Sequence, residues 1–276
     1  MDKLKIGYSP CPNDTFIFHA ITHGLLPNCP PSSTILKDIE GLNLLAFKRK
    51  LDLTKISFHA LGHVRDDYVL LRSGGALGNG CGPLIVAKDP IRPVDLKGRT
   101  IALPGRYTTA ALLLKLFDPS LDKLVYLPFD KIVLACQNGE VDAGVIIHES
   151  RFTYKNFNLN RIIDLGDWWE NKTGKPIPLG GILAKRNLGE EIHFFLETLI
   201  SSSISYSYKS QDEVMKYIKF HSQELDDRVI RQHIDLYVNQ YSIRYGPKGE
   251  AAINTLFSEA EKLGVLPKSD KPLFPQ

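Results

Sequence analysis

LKIGYSP, the stretch Leu4–Pro10, reads as a short apolar strand that ends in a polar turn. Polar residues follow at Asn13–Thr15, and residues of this type commonly begin helices. The same order returns further along the chain, where Thr100–Gly105 reads TIALPG and is followed by Thr108 and Thr109. The chain therefore contains two similar strand–turn–helix units.

Each unit leads to a second strand with a polar exit. The first unit ends in Lys50–Ser57, which reads KLDLTKIS, and the second ends in Glu140–His148, which reads EVDAGVIIH. The nearly all-apolar run Val141–Ile147 is typical of a strand in a parallel sheet that is covered on both faces. Two α/β lobes in one chain predict a ligand cleft between them, to which strand ends and helix N-termini contribute the binding groups.

The segment Pro176–Ala184 reads as a strand that returns the chain to the first lobe. We therefore predict that residues 1–86 and 181–276 form lobe one, and that residues 87–180 form lobe two. Because the chain then crosses between the lobes twice, a hinge that closes over a ligand is a natural hypothesis. The rest of the chain is predicted to form helices that pack on lobe one, near residues 188–208, 211–221, 226–241 and 247–263.

The composition is that of a globular protein without a strong charge. The 276 residues include 34 basic and 31 acidic side chains, and the net charge of +3 is too small to indicate binding to nucleic acid or to an acidic membrane. No apolar run is long enough to cross a membrane, and the N-terminus lacks the features of a secretion signal. The four cysteines have no metal or redox spacing, which favours a reducing cytoplasm. The expected partner is a small-molecule substrate.

A glycine-rich segment lies between the two units. Gly74–Pro83 reads GGALGNGCGP and separates two apolar runs, Tyr68–Leu71 and Leu84–Ala87. It lacks the Gly-Lys-Ser/Thr ending of a phosphate-binding loop and the G-x-G-x-x-G dinucleotide pattern. We interpret it as a hairpin or a crossover, whose glycines permit positive φ angles or a close backbone approach.

Three further sets of residues allow a functional and a structural interpretation. Cys11 precedes a helix start, which can lower a thiol pKa, but no base is fixed near it and we expect a packed thiol. His59 and His63 have the spacing of a metal pair on a helix, but no third ligand is indicated and we expect surface histidines. Trp168 and Trp169 could stack on an aromatic substrate, although tryptophans more often anchor packing.

Several polar residues stand at the ends of predicted elements. His148 ends an apolar strand, and the residues alone leave open whether it takes a proton near neutral pH or has a structural role. Lys55 and Ser57 share one strand face. They could bind a carboxylate or sugar hydroxyls, or they could be an exposed lysine and a turn serine. Thr108 and Thr109 begin a helix, where they could hold an anion or simply cap the helix.

Several motifs occur together in the first two thirds of the chain: SPCPNDTF (Ser9–Phe16), RSGGALG (Arg72–Gly78), PG at Pro104 with TTA at Thr108–Ala110, IHESRFTY (Ile147–Tyr154), DLGDWWE (Asp164–Glu170) and PLG (Pro178–Gly180). Their combination resembles the 1,4-dihydroxy-6-naphthoate synthases, which are enzymes of the futalosine route to menaquinone. The resemblance runs from residue 4 to about residue 184, and the helical tail is compatible in length.

This resemblance implies an α/β fold like that of periplasmic solute-binding proteins, with two lobes, each a mixed sheet flanked by helices, and a ligand cleft between them. It implies a cytoplasmic lyase that converts cyclic dehypoxanthinyl futalosine into 1,4-dihydroxy-6-naphthoate, without a metal or an organic cofactor. The family's general base matches His148. The substrate-contacting positions of the family match Lys55, Ile56, Ser57, Thr109 and Ala110.

Two other functions stay open at this point. One is a chorismate dehydratase, which is a related two-lobed enzyme of the same pathway. The other is a cytoplasmic solute-binding or sensor protein without catalysis. The missing secretion signal argues against a transport-binding protein, and a base at the cleft favours catalysis.

Overall fold

The computed structural model describes residues 3–222 and 226–276. The described chain forms two mixed sheets flanked by helices, and this confirms the predicted fold class. Residues 1, 2 and 223–225, which the sequence assigned to lobe one, lie outside the described residues. The first part of the chain forms, in order, β1 (Leu4–Tyr8), α1 (Pro12–Thr22), β2 (Ser32–Leu36), α2 (Ile39–Phe47), β3 (Leu53–Ser57), α3 (Phe58–Val64), β4 (Tyr68–Leu70) and β5 (Ala76–Gly78).

The middle of the chain builds the second sheet and its helices. Short 3₁₀ turns at Pro93–Leu96 and Tyr154–Phe157 connect some of these elements. The elements are β6 (Leu84–Ala87), β7 (Ile101–Leu103), α4 (Thr109–Phe117), β8 (Leu124–Tyr126), α5 (Phe129–Asn138), β9 (Ala143–Ile146), α6 (Ser150–Thr153), β10 (Asn160–Asp164) and α7 (Leu165–Thr173).

The last part of the chain returns as a strand and then becomes helical. It forms β11 (Ile177–Lys185), a 3₁₀ turn (Arg186–Leu188), α8 (Glu190–Lys209), α9 (Gln211–His221), α10 (Asp227–Tyr237), α11 (Gln240–Ile243) and α12 (Gly246–Lys262). Apolar residues of α8, α9 and α10 pack with those of α1 and β1 in one core cluster, so these helices cover lobe one. In the described ranges, no helix combines the length and the hydrophobicity that a membrane span requires.

Sheet one has the strand order β2-β1-β3-β11-β4, and β5 also pairs with β11. The strands β2, β1 and β3 are parallel, which follows from their helical crossovers. The returning strand β11 runs antiparallel to β3 and places Gly180 opposite Ser57. The carboxyl ends of β1 and β3 therefore open on the same edge of the sheet, where a ligand site is expected.

Sheet two has the order β10-β6-β9-β7-β8, with β7 parallel to β8 and β9 and with β6 antiparallel to β9. All of β6, from Leu84, belongs to this sheet, and all of β11, from Ile177, belongs to sheet one. By sheet membership, the chain thus crosses between the lobes before residues 84 and 177. Both crossings come a few residues earlier than the boundaries at 86/87 and 180/181 that the sequence suggested.

The glycine-rich segment is a crossover, one of the two forms expected for it. The backbones of Gly82 and Gly166 approach so closely that a Cβ on Gly82 would lie 2.3 Å from the Gly166 nitrogen. A side chain at either position would push the crossing away from α7, so the pair requires glycine. This contact fixes the point at which the chain enters lobe two.

Local signals account for several of the boundaries. Asp38 caps α2, because its carboxylate accepts a hydrogen bond from the Gly41 amide at 2.7 Å. Helix α1 begins at Pro12, earlier than the polar residues at 13–15 suggested, because proline suits the first position of a helix. The basic residues 48–50 are exposed beyond the end of α2.

Candidate active site

A cleft lies where the two lobes meet, the place where small-molecule sites commonly form in two-lobed proteins. It is lined by all six residues that the resemblance matched to the family's site: His148, Lys55, Ile56, Ser57, Thr109 and Ala110. The other lining residues are Ser9, Asn13, Asp14, Ile39, Ala76, Cys81, Pro83, Thr108, Ile147, Leu179, Gly180, His233 and Tyr237.

His148 follows β9 and is half-buried at the wall of the cleft. Its φ angle of +56° lies in the left-handed region, which turns the chain sharply out of the strand. Burial lowers the pKa of His148 to about 4, because the opposing effect of the Asp14 carboxylate is smaller than the loss of hydration. The imidazole is therefore neutral near pH 7 and able to accept a proton.

Lys55 is buried, and its charge is already paired. Its Nζ lies 2.8 Å from Asp14 Oδ1 and donates to the carbonyl of Gly74 at 3.3 Å. Asp14 also accepts hydrogen bonds from Ser9 Oγ at 2.7 Å and Asn13 Nδ2 at 2.9 Å. The alternative of an exposed lysine is wrong. The ammonium meets the cleft as part of a neutral pair, so it contributes little net charge toward a substrate carboxylate.

Ser57 is buried at the end of β3 and is held by Asn43. Asn43 Nδ2 donates to Ser57 Oγ at 3.2 Å, and Asn43 Oδ1 accepts from the Ser57 amide at 3.0 Å. Because the serine oxygen accepts this bond, its own hydroxyl hydrogen is available to donate to a ligand. Sequence reasoning missed Asn43, whose place on the buried face of α2 gives no sign of its polar partner.

The two threonines at the start of α4 have different roles. Thr108 is the N-cap, and its hydroxyl accepts from the Ala111 amide at 3.2 Å. Thr109 Oγ1 joins the lobes, because it accepts from the Phe58 amide at 2.9 Å and donates to the Leu179 carbonyl at 2.5 Å. The Thr109 hydroxyl is thus engaged within the protein, which limits its use as a ligand-binding group.

The backbone at the start of α4 offers other donors. The amides of Thr109 and Ala110 belong to the first turn, whose N–H groups have no acceptor within the helix. Such amides at a cleft wall are suited to an anion. Ile56 also lines the cleft, but its side chain is fully buried in the hydrophobic core.

Replacing Thr109 with valine should lower the free energy of unfolding by about 1–3 kcal/mol, because two buried backbone groups lose their partner. Urea unfolding measures this change. Thr109→Ser is the matched control, since it keeps the hydroxyl and should lose only about 1 kcal/mol for the missing methyl group. A valine variant as stable as the serine variant would show that the bridging hydrogen bonds contribute nothing.

Further hydrogen bonds hold the lobes together across the cleft. The carboxylate of Glu40 on α2 accepts from the Tyr107 amide at 3.0 Å. Asn43 Nδ2 donates to the carbonyl of Tyr107 at 3.3 Å. The loop before α4 is therefore bound to lobe one, and the structure represents lobes in contact rather than apart.

Arg151 ties the segment that follows His148 to the crossover. Its guanidinium donates to the carbonyls of Gly80, at 2.7 Å, and Gly82, and to Asp164 Oδ2 at 2.6 Å. Asp164 in turn caps α7 through the Gly166 amide at 2.8 Å. The segment that follows His148 is therefore fixed to the crossing chain and to α7.

The histidine pair on α3 differs from expectation at one position. His63 is exposed, as predicted. His59 is buried, and its Nδ1 lies 3.3 Å from the carbonyl of Thr108. Burial lowers the pKa of His59 to about 4. The prediction of a surface histidine is wrong at His59, because α3 packs that face against the start of α4.

The tryptophans pack rather than line the cleft. Trp169 is fully buried and donates from Nε1 to the carbonyl of Pro176 at 3.2 Å. Trp168 meets the ring of Phe117 edge-on, with centroids 5.6 Å apart. The packing interpretation therefore fits both residues.

Two cysteines lie at or beside the cleft as protonated thiols. Burial and the Glu149 charge raise the pKa of Cys11 well above its ordinary value, and burial raises that of Cys81 to about 12. Donor atoms of Cys11, His148 and Glu149 lie within 4.8 Å of one another, and this set could hold a soft divalent ion if the sulfur were a thiolate. Since the thiol form is favoured, we assign no metal to this group.

Helix α10 supplies two cleft residues that sequence reasoning missed. His233 and Tyr237 are buried one helical turn apart, with ring centroids 4.6 Å from each other. The ring of His233 lies nearly parallel to that of His148, at 14° and 6.1 Å between centroids. A histidine on the apolar stripe of a helix was the available signal, but it fits an ordinary core position equally well.

Residues 4–262 match the model of a protein family described as menaquinone biosynthesis. The chain belongs to this family. A 1,4-dihydroxy-6-naphtoate synthase of Thermus thermophilus is 47% identical to it over 99% of this chain and 100% of the relative. A protein of the same name from Streptomyces coelicolor is 42% identical over 96% of this chain and 95% of the relative. These relatives confirm the resemblance to the synthases and identify this member of the menaquinone-biosynthesis family as an enzyme.

Solved structures confirm the fold. A protein of Archaeoglobus fulgidus is 36% identical, has a TM-score of 0.90, and is matched over 96% of this chain and 98% of that chain. The periplasmic aliphatic sulphonate-binding protein SsuA of Escherichia coli has a TM-score of 0.68 at 18% identity, matched over 99% of this chain and 90% of that one. This second likeness shows that the chain has a periplasmic-binding-protein-like fold.

Proposed function

We propose that the chain is a carbon–carbon lyase that converts cyclic dehypoxanthinyl futalosine into 1,4-dihydroxy-6-naphthoate. The observation that carries the proposal is a neutral histidine, His148, at the wall of an interlobe cleft. The relatives, at 47% and 42% identity, are synthases named for this product. We also propose a cytoplasmic location, which the four free cysteines support.

In the proposed reaction, His148 removes a proton from the substrate. This starts ring opening and an elimination that breaks the carbon–carbon linkage to the sugar-derived portion and makes the naphthalene ring aromatic. Asp14 acts to raise the pKa of His148 and its partner Lys55 acts to lower it, and the effect of Asp14 is the larger, so its carboxylate would stabilise the imidazolium that forms. These steps call for no metal and no organic cofactor.

The substrate would be oriented by neutral donors. The hydroxyl of Ser57 and the first-turn amides of Thr109 and Ala110 line the cleft from the two lobes. They suit a carboxylate and hydroxyl groups, and because they come from rigid element ends they would hold the reacting carbon near His148. Lys55 would contribute mainly by fixing Asp14.

Replacing Ser57 with alanine should raise KM by about 10- to 100-fold, since a lost hydrogen bond to a charged ligand group costs about 1.5–3 kcal/mol. Asn43 keeps two other acceptors, Glu40 and the Tyr107 carbonyl, so the fold should persist. Ser120→Ala, at an exposed serine, is the matched control. Steady-state kinetics at matched folding measure both variants, and an unchanged KM for Ser57→Ala would place the substrate elsewhere.

One assay separates this function from its rivals. Purified protein is incubated with cyclic dehypoxanthinyl futalosine and, separately, with chorismate, and the products are identified by mass spectrometry. Release of the naphthoate is expected. Dehydration of chorismate instead would identify the chorismate dehydratase, and ligand binding without turnover would identify a solute-binding or sensor protein.

A further inference from the structure

His233 connects the base-bearing segment to the other side of the cleft. It is fully buried on α10, which packs on lobe one, whereas His148 and Glu149 follow β9 in lobe two. His233 Nδ1 lies 3.9 Å from Glu149 Oε1, and the His233 ring is stacked on that of His148. This side chain is therefore the point at which α10 meets the segment that carries the base.

The hydrogen bonds around His233 determine which of its nitrogens carries a proton. Asn13 Nδ2 donates to Asp14 Oδ1 at 2.9 Å, which orients the Asn13 amide. Asn13 Oδ1 then faces His233 Nε2 at 2.9 Å, although the two residues are 220 positions apart in the chain. Because the Asn13 oxygen can only accept, Nε2 must donate. In the neutral ring, Nδ1 is consequently an unprotonated acceptor.

This arrangement leaves His233 Nδ1 without a hydrogen bond among the described residues, although the atom is buried. Its lone pair faces the Glu149 carboxylate, which in its ionised form also only accepts. Two acceptors at 3.9 Å repel each other unless a proton lies between them. One proton shared by the pair would remove this repulsion and let the two atoms close from 3.9 Å to the distance of a charge-assisted hydrogen bond.

We propose that His233 is a positioning residue for His148. This role rests on the proposed function. His233 Nδ1 and the Glu149 carboxylate share one proton, and this bond, together with the ring stacking, docks the segment that carries His148 on α10. Glu149 is the next residue after His148, so docking its side chain fixes the sharply turned backbone of the base. His148 then reaches its working position when the lobes are together.

Two substitutions of His233 separate its nitrogens. His233→Gln keeps a donor near the Nε2 position for Asn13 but has no group at the Nδ1 position. His233→Asn places an amide near the Nδ1 position, from which it can donate to Glu149. In the glutamine variant we expect kcat to fall by about 10- to 100-fold, as for a misplaced catalytic group, while KM changes by less than about threefold. In the asparagine variant we expect kcat to recover.

The proton itself is tested with Glu149→Gln. The new amide donates to His233 Nδ1 without a shared proton, so docking should become independent of pH. Activity of the unsubstituted enzyme should fall on the alkaline side as the shared proton is lost, and this fall should be absent in Glu149→Gln. Comparing the two profiles cancels contributions from the other groups that face the pair, which are Asp14 on α1, Lys55 on β3, Cys11, His148 and Tyr237.

Hydrogen exchange of residues 147–154 makes the test independent of turnover. Exchange should be at least about tenfold faster in His233→Gln than in the unsubstituted protein. The control His193→Gln replaces a buried histidine on α8 that bonds the Lys185 carbonyl at 2.9 Å, away from the cleft, and should change neither exchange nor activity.

Equal exchange in His233→Gln and the control would overturn the docking, whatever the activity. If the His233 variants fail to fold, identical alkaline pH profiles for the unsubstituted enzyme and Glu149→Gln would also overturn the docking. If the unsubstituted protein forms no naphthoate while exchange still rises in His233→Gln, the docking holds and the proposed function fails.

Discussion

Replacing His148 with asparagine should lower kcat by about 10²–10⁴-fold, the usual contribution of a general base. The fold should persist, because asparagine adopts the left-handed conformation more readily than most residues and the backbone of His148 has a φ angle of +56°. Substrate binding should change little, since the base acts mainly in the transition state. Single-turnover kinetics and a separate binding measurement test these expectations.

The acid limb of the pH profile identifies the base. An ordinary histidine would lose activity near pH 6.5, but the pKa of His148 is lowered to about 4, so its neutral form persists well below pH 6. We expect kcat/KM of the free enzyme to fall only as the pH approaches 4. His63→Asn, at an exposed histidine on α3, is the matched control. Full activity of His148→Asn at matched folding would falsify the assignment.

Acidification should also lower the free energy of unfolding. Burial lowers the pKa of His148 and of His59, so below pH 6.5 the unfolded chain binds more protons than the folded one at these two positions. Stability should therefore decrease as the pH falls from 6.5 toward 4. The acid limb of activity must be measured where circular dichroism still shows the folded state.

Replacing Lys55 with methionine should reduce the free energy of unfolding by about 3–5 kcal/mol, because it leaves the buried carboxylate of Asp14 without its countercharge. That is a large part of the stability of a typical domain. Urea unfolding measures the change. Lys115→Met, at an exposed position of α4, is the matched control and should shift stability by less than about 0.5 kcal/mol.

The double variant Lys55→Met/Asp14→Asn distinguishes the ion pair from simple packing. Removing both charges should recover part of the stability, since neither partner is then buried alone. Activity should stay low, because the variant lacks the Asp14 carboxylate that, in the proposed mechanism, stabilises the imidazolium of His148. A single variant as stable as Lys115→Met would contradict the buried pair.

Those parts of the fold that depend on nearby residues could be predicted from the sequence. Thr108 could be recognised as one of two candidate caps of α4, because a cap bonds to amides two or three residues away. The nearly all-apolar run at 141–147 became the buried strand β9 for a similarly local reason. The order of strands and helices then restricted the topology to two lobes with a cleft.

Contacts between residues that are far apart in the chain could not be predicted from the sequence. Lys55 shares its strand face with Ser57 as expected, but its partner Asp14 belongs to another element and no periodicity links them. His233 lies beside Asn13 only because α10 covers α1, and a buried histidine on a helical stripe fits core packing equally well. His59 was misplaced for the same reason, since its burial depends on α4.

The protonated thiols beside the cleft have a chemical consequence. Only a thiolate attacks electrophiles quickly, and burial raises the pKa of Cys81 to about 12 and that of Cys11 well above its ordinary value. By the proposed function, the product is a dihydroxynaphthalene, a hydroquinone whose oxidised form is a thiol-reactive quinone. If molecular oxygen oxidises some of the released product to this quinone, the quinone would meet only slow thiol nucleophiles at the cleft, and alkylation of Cys11 and Cys81 should be slow.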